Sequence, residues 1–185
     1  MRERGNKPES LAGSLLLAHP KLRDPNFVRT VVLLSLHNAE GAMGVVLNRP
    51  LEKTLSDLGP EFRRSELAKV PLYCGGPVNP EQLILVAWQT TSFDGTFKLY
   101  FGLDPKKLQE LMGETQLEVR AYLGYSGWSG GQLETEMKQS TWLVSPVPAE
   151  LLGKLEGVDL WKRIVGGLSL EWRVIVDEPE DPSQN

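Results

Sequence analysis

A single mixed α and β domain is the fold class this sequence predicts, and three observations predict it. The first is length: 185 residues hold one domain with a real core, because a chain near this size buries about 70% of its unfolded surface. The second is composition, 41% hydrophobic and 24% charged, which excludes a fibrous or disordered chain. The third is pattern: apolar runs of strand length are interspersed with segments of helical spacing and helix-cap chemistry. Residues 1–11 read as a flexible tail, 12–176 as the domain and 177–185 as an acidic C-terminal tail.

The elements follow in order. GSLLLA (13–18) is a first short strand. Arms at about 30–37 and 42–48 flank a Gly-bearing connection and read as a β-hairpin, ended by Pro50. Both arms are apolar on both faces, which predicts a sheet covered on both sides. A short helix is expected from Thr54, then strands at 71–74 and 83–88 about a Gly-Gly-Pro turn, and a strand at 97–102 after the turn Phe93-Asp94-Gly95. Asp104 as cap, Pro105 at the first position, Leu103 stapled to Leu108 and Gly113 as the stop predict the next helix. LEVRAYLG (117–124) is a strand of period two, with Leu117, Val119, Ala121 and Leu123 on one face. Trp161, Ile164, Val165 and Leu168 share a helical stripe, with Gly166-Gly167 near its end.

A formal net charge of -4 and a pI of about 5.3 disfavour attraction to nucleic acid or anionic membrane. The basic pairs Arg63-Arg64, Lys106-Lys107 and Lys162-Arg163 read as solvated faces. Cys74 is the one cysteine, so no intrachain disulfide forms, and His19 and His37 are too few to complete a cysteine-and-histidine zinc site. The apolar run near the start is short and lacks a small-residue cleavage pattern, so it reads as tail plus strand, not as a signal peptide. Without a span near 20 apolar residues there is no transmembrane helix. A soluble, cytoplasmic protein is expected.

GYSGWSGGQLETEM (124–137) is the most pointed stretch. With Ser129 as N-cap, Gln132 completes a capping box, and Trp128 and Leu133 form a hydrophobic staple. Leu133 and Met137 then share a face, Glu134 and Lys138 form an i,i+4 pair, and the glycines let the strand ending near Gly124 turn into the helix. A P-loop would need Gly-Lys-Ser/Thr where Gly130-Gly131-Gln132 stands. A hydrolase elbow would need glycine where Trp128 stands, so Ser126 does not fit a nucleophile. A simple anion site at the helix N-terminus stays open beside the cap. Of the other candidates, His37 could act as a base, but the preferred reading is a hairpin-end histidine bonded to the turn. Cys74 reads as a buried small hydrophobe, and Trp142, Trp161 and Trp172 as core or rim residues. His37 and Arg49, at opposite ends of a hairpin arm, are expected about 20 Å apart.

AGSLLLAHPKLRDPNFVRTVVLLSLHNAEGAMGVVLNRPL, YCGGPV and LGYSGWSGGQLETEM followed by TWLV occur in this order, and the chain resembles the YqgE/AlgH family of bacterial proteins. The family pattern maps onto His37, Gly41, Ala42, Gly44, Asn48, Arg49 and Pro50, and its GGP onto Gly75, Gly76 and Pro77. Where the family commonly has alanine this chain has Ser126, and where it often has Gly-Pro this chain has Ser129-Gly130. The resemblance implies a single α/β domain whose mostly antiparallel sheet is bifurcated or partly barrel-like and flanked by helices. It implies no assigned activity, although one branch carries the label of a transcriptional regulator. No helix-turn-helix with a basic recognition face accompanies that label here, so regulation through a protein partner fits better than direct DNA reading.

A non-catalytic binding or regulatory module, acting through a protein or small-molecule partner, therefore ranks above an enzyme. The enzyme alternative would use a groove near Arg49, Tyr125 and Gln132. Candidate ligand or partner residues are Asn48, Arg49, Gly75, Gly76, Tyr125, Trp128 and Gln132. Catalytic residues, metal ligands and a cofactor are not expected.

Overall fold

The computed structural model describes residues 10–90 and 97–177. The turn expected at Phe93-Asp94-Gly95 and most of both tails lie outside the described residues. Nine strands are present among these: β1 (Leu15–Ala18), β2 (Val31–Asn38), β3 (Gly41–Val46), β4 (Pro50–Thr54), β5 (Pro71–Cys74), β6 (Val78–Thr90), β7 (Phe97–Phe101), β8 (Glu118–Ser129) and β9 (Trp142–Ser145). The helices are α1 (Pro60–Arg63), α2 (Pro105–Glu114), α3 (Gln132–Lys138), α4 (Ala149–Leu152), α5 (Gly157–Leu168) and α6 (Leu170–Asp177).

The strands form one branched sheet in the order β4-β5-β8-β3-β2-β1-β9, from which β6 and β7 diverge at β8. The N-terminal part of β8 lies between β5, its parallel partner at Leu72–Cys74, and β6, antiparallel from Val78 to Trp88. Its C-terminal part, Ser126–Ser129, leaves both and pairs with β3. Gly124 marks the change with φ of +70°. The one-residue irregularity flips the face that side chains take: Val119, Ala121 and Leu123 pack with α2, whereas Tyr125 packs on the opposite layer. This division produces the curled, partly barrel-like sheet.

Three apolar layers result. Leu15, Leu17, Val31, Leu33 and Val45 face α5 and α6 through Trp161, Ile164, Val165 and Val176. The alternate residues Leu16, Ala18, Val32, Leu34 and Val46 face Trp128, Leu133 and Trp142. The hairpin is thus buried on both sides, as its uniform apolarity predicts. The third layer joins Leu55, Leu67, Leu85, Leu108 and Ala121.

Several elements differ from the sequence reading. The segment after Thr54 breaks into 3-10 turns and the single turn of α1, and Pro50 opens the edge strand β4, where its missing N–H costs nothing. Strand β6 begins at Val78, five residues before the expected start. Asp104 caps α2 by accepting from the N–H groups of Lys106 and Lys107, but the helix continues past Gly113 to Glu114. Leu168, placed on the buried stripe by the sequence reading, is exposed, since α5 ends there and Ser169 is extended. The largest correction concerns Ser129. It is the last residue of β8, paired with Gly41, and α3 begins at Gln132 behind Gly131 at φ +78°.

Candidate functional site

The seven residues that the sequence singles out fall into two sets. Gly75 and Gly76 cross β8 backbone against backbone: a Cβ on Gly76 would lie 2.3 Å from the Tyr125 carbonyl carbon, and one on Gly124 2.5 Å from the Gly76 oxygen. Only glycine fits so close an approach. Tyr125, half-buried, pairs with Val78 just beyond. Asn48 and Arg49 join this set through the backbone, because the Cys74 N–H donates to the Arg49 carbonyl at 2.9 Å. The Asn48 side chain is buried; its Oδ1 accepts from the Val31 N–H at 2.8 Å, and its Nδ2 donates to the carbonyls of Arg29 at 2.9 Å and Gly157 at 2.8 Å. Arg49 donates to the carbonyls of Pro25 at 3.1 Å and Val28 at 3.4 Å. Ser126 is fully buried and donates to the Gly75 carbonyl at 3.2 Å. A nucleophile needs access to substrate, and this hydroxyl is fully buried with its proton on a backbone carbonyl.

Trp128 and Gln132 form the second set, around Glu136 of α3. The Glu136 carboxylate accepts from the indole N–H groups of Trp128 and Trp142, both at 2.8 Å, and from the Gln132 amide at 3.0 Å. The Gln132 carbonyl oxygen also accepts from the Ser129 N–H at 3.0 Å. This is the reaching-back half of the expected capping box, made without a serine cap. Trp128 is 7% exposed and shares its layer with Leu133, while Phe27 and Trp142 close on it at ring distances of 6.2 Å and 5.8 Å. His37 is not bonded to its own turn. Its Nδ1 accepts from the Leu11 N–H at 2.9 Å, so Nε2 carries the proton and donates to Glu134 at 2.9 Å. Glu134 thus takes His37 as its hydrogen-bond partner instead of the expected Lys138. Its own backbone N–H, then the His37 hydrogen bond, hold its carboxyl below the usual glutamate value.

Sequence reasoning missed a third assembly, on the inner face of the sheet. Arg120 and Tyr122 lie two residues apart on one face of β8, Tyr73 of β5 pairs with Tyr122, and Trp88 of β6 lies two residues beyond Val86, the partner of Arg120. Arg120 is 6% exposed. Its guanidinium lies 4.7 Å from the Tyr73 ring centre and 5.1 Å from that of Trp88, and it donates to the carbonyls of Leu47 at 3.2 Å and Leu152. Tyr73 donates to the Glu156 carboxylate. Burial pushes both phenols well above the ordinary tyrosine value; in Tyr73 the Glu156 bond adds to it, and in both the positive Arg120 opposes it. Both therefore stay protonated. Among the described residues, the Tyr122 hydroxyl and the Trp88 indole N–H are buried without a hydrogen-bond partner. The signal for this face was Arg120 itself, an arginine among Val119, Ala121 and Tyr122; its cover arrives from residues 152–156, too far along the chain to be inferred.

On the outside, the end of β9 and helices α4 to α6 border a groove of about 1170 Å³. Lys154, Lys162, Arg163 and Arg173 line it with the acids Glu150, Asp159 and Asp177. At the corner of α5 and α6, Leu170 and Val174, four residues apart, are 77% and 64% exposed. Among the described residues no helix is long and apolar enough to cross a membrane.

Fold and site together define a mixed α+β domain built on a branched, curled sheet with a closed polar interior. A family model described as DUF179, AlgH-like, matches residues 15–173, and the chain belongs to that family, in agreement with the resemblance seen in its motifs. It is 35% identical over 178 residues to a UPF0301 protein of Magnetococcus marinus, covering 91% of this chain and 94% of the relative. To a UPF0301 protein of Chlorobium limicola it is 34% identical over 180 residues, covering 94% and 95%. The solution structure of the AlgH protein from Pseudomonas aeruginosa superposes with a TM-score of 0.67 at 27% identity, covering 98% of this chain and all of that one (100%). A Corynebacterium diphtheriae crystal structure shares the fold, with a TM-score of 0.71 at 21% identity over 94% of this chain and 95% of that one. The Magnetococcus, Chlorobium and Pseudomonas relatives bear family names, not names of an activity.

Proposed function

We propose that the protein is a non-catalytic, soluble cytoplasmic binding module that regulates through a protein partner, and that α5 and α6 carry the docking surface. The observation that supports this reading is the pair Leu170 and Val174, exposed one helical turn apart beside a groove whose cations outnumber its acids four to three in a chain of net charge -4. An exposed apolar pair next to a groove of mixed charge, one cation in excess, suits an amphipathic helix with an acidic polar face, the apolar residues as anchors and the charges setting orientation. The buried, bonded state of Ser126 supports the non-catalytic part.

The test is affinity capture from the native cell lysate with the wild type and with a Leu170→Glu/Val174→Glu variant. Both sites are solvent-facing, so the variant should unfold at an unchanged urea midpoint. The expected outcome is a protein with an acidic amphipathic segment retained by the wild type and lost by the variant. Equal capture by both overturns the reading.

A further inference from the structure

The segment ahead of β1 is fastened to the sheet through one residue. Ser10 Oγ donates to the His37 carbonyl at 2.9 Å, and the Leu11 N–H donates to His37 Nδ1 at 2.9 Å. The next hydrogen bond to β2 comes at Gly13, whose N–H donates to the Leu34 carbonyl at 2.8 Å. Gly13 stands at φ +82°, and a Cβ there would meet nothing within 4 Å, so the backbone has room to hinge. Leu11 packs at the margin of the apolar layer that holds Leu34, Ala42 and Trp128. The His37 side chain is 6% exposed, and both ring nitrogens are engaged, Nδ1 as acceptor and Nε2 as donor to Glu134. Only the neutral ring fits this arrangement. A second proton has one place to go, Nδ1, where it meets the Leu11 N–H donor against donor and forces that bond open. Glu134 acts the other way, because its carboxylate attracts the imidazolium. Lys138, one turn on in α3, acts on Glu134 in turn, and Glu136 is taken up by the two indoles. Glu40 stands in the turn beyond Asn38. From β3 the uncharged Ala42 pairs with His37, and residues 10–14 carry no charge.

We infer that His37 is a proton-operated latch on the N-terminal segment: the neutral ring holds residues 10–13 along β2, and the protonated ring keeps Glu134 and releases them about Gly13. Histidine takes up its proton in the physiological range. The released state alone leaves Nδ1 free to bear that proton, so falling pH shifts the population towards release. Release draws Leu11 off its apolar layer, and the Ser10 hydroxyl is then the one hydrogen bond ahead of Gly13 that ties the segment to β2 among the described residues.

The experiment titrates the ¹⁵N-labelled full chain between about pH 8 and pH 5, following the His37 ring resonances and the Leu11 amide together. Protection of the Leu11 amide against hydrogen exchange, corrected for the intrinsic pH dependence, should fall about tenfold, the share of one hydrogen bond. It should fall with the midpoint of the ring titration, while the Leu34 amide, bonded to Ser14, stays protected. Glu134→Gln keeps an acceptor for Nε2 without its charge, and should move both midpoints down together by about half a pH unit, the size of one partly exposed ion pair. His37→Asn sets a carbonyl oxygen, which does not titrate, near the Nδ1 position and should hold Leu11 across the whole range; Glu134→Gln, changed at a partly exposed site, carries the test if His37→Asn does not fold. The inference is overturned if the ring titrates with Leu11 still protected, if the ring stays neutral until the whole chain unfolds, or if Glu134→Gln moves the ring midpoint and leaves that of Leu11 in place.

Discussion

The Glu136 assembly and the Arg120 assembly are opposite solutions to placing polar groups beside an apolar core. Around Glu136 one carboxylate meets three N–H donors, two of them indoles, and every donor has its acceptor. Around Arg120 the donors outnumber the acceptors, and two buried polar atoms go without. A satisfied network rigidifies and specifies a core, whereas an unsatisfied one costs free energy in the low-dielectric interior. The difference predicts opposite responses: removing a partner at the first site should lower stability, and removing an orphaned group at the second should raise it.

The largest effect is expected from Trp128→Ala, which empties a site bounded by Phe27, Leu133 and Trp142. It should cost about 3 kcal/mol or more, read as a lowered urea midpoint at unchanged m-value; a midpoint near wild type would mean the ring is not a structural anchor. Glu136→Ala comes next, at about 2 kcal/mol, because it strands two indole donors together. Tyr122→Phe should move the other way, raising stability by about 1 kcal/mol as an orphaned hydroxyl is removed, and a loss of that size would erase the contrast between the two assemblies. Ser126→Ala should change stability by under about 1 kcal/mol, since the Gly75 carbonyl keeps the Val46 N–H at 2.9 Å, and a fluorophosphonate probe should leave Ser126 unlabelled in the wild type.

The smallest effect is one of pH. The Glu134 carboxyl is depressed in the folded state, so its contribution is present above the ordinary glutamate pKa and is lost as pH falls through the lower folded value. The side chain is 37% exposed and screened by solvent. Glu134→Gln should therefore flatten the acid limb of the stability curve only slightly, and an unchanged limb would remove the His37 bond from the account.

Period-two alternation made one face of LEVRAYLG legible, because Val119, Ala121 and Leu123 do pack together. The other face was not legible, since a buried Arg120 looks solvated until residues 152–156 fold over it. At GYSGWSGGQ the local signals were real but their register was not: Gln132 does reach back to Ser129, yet pairing with Gly41 keeps Ser129 in the strand, and long-range pairing outweighs a cap. His37 tells the same story, because its acceptor on α3 lies 97 residues away. The apolar hairpin, covered on both sides, was the easiest element to read because its pattern leaves no polar face.

The shared strand β8 also bears on how the chain is made. Strands β1 to β3 emerge from the ribosome together, but the neighbours that close their two open sides, β8 and β9, begin only at Glu118 and Trp142. At about 5–20 residues per second, both hydrogen-bonding edges of a Leu- and Val-rich sheet stay bare for on the order of seconds, the condition under which edge strands recruit other chains. Most pairings of β8 are distant in sequence, which makes its docking slow. Nascent protein truncated before Glu118 should thus aggregate more than chains extended past Ser145, whose sheet edges are paired, and the full chain, with α5 and α6 over the remaining apolar face, least of all; soluble yield against length would show the steps.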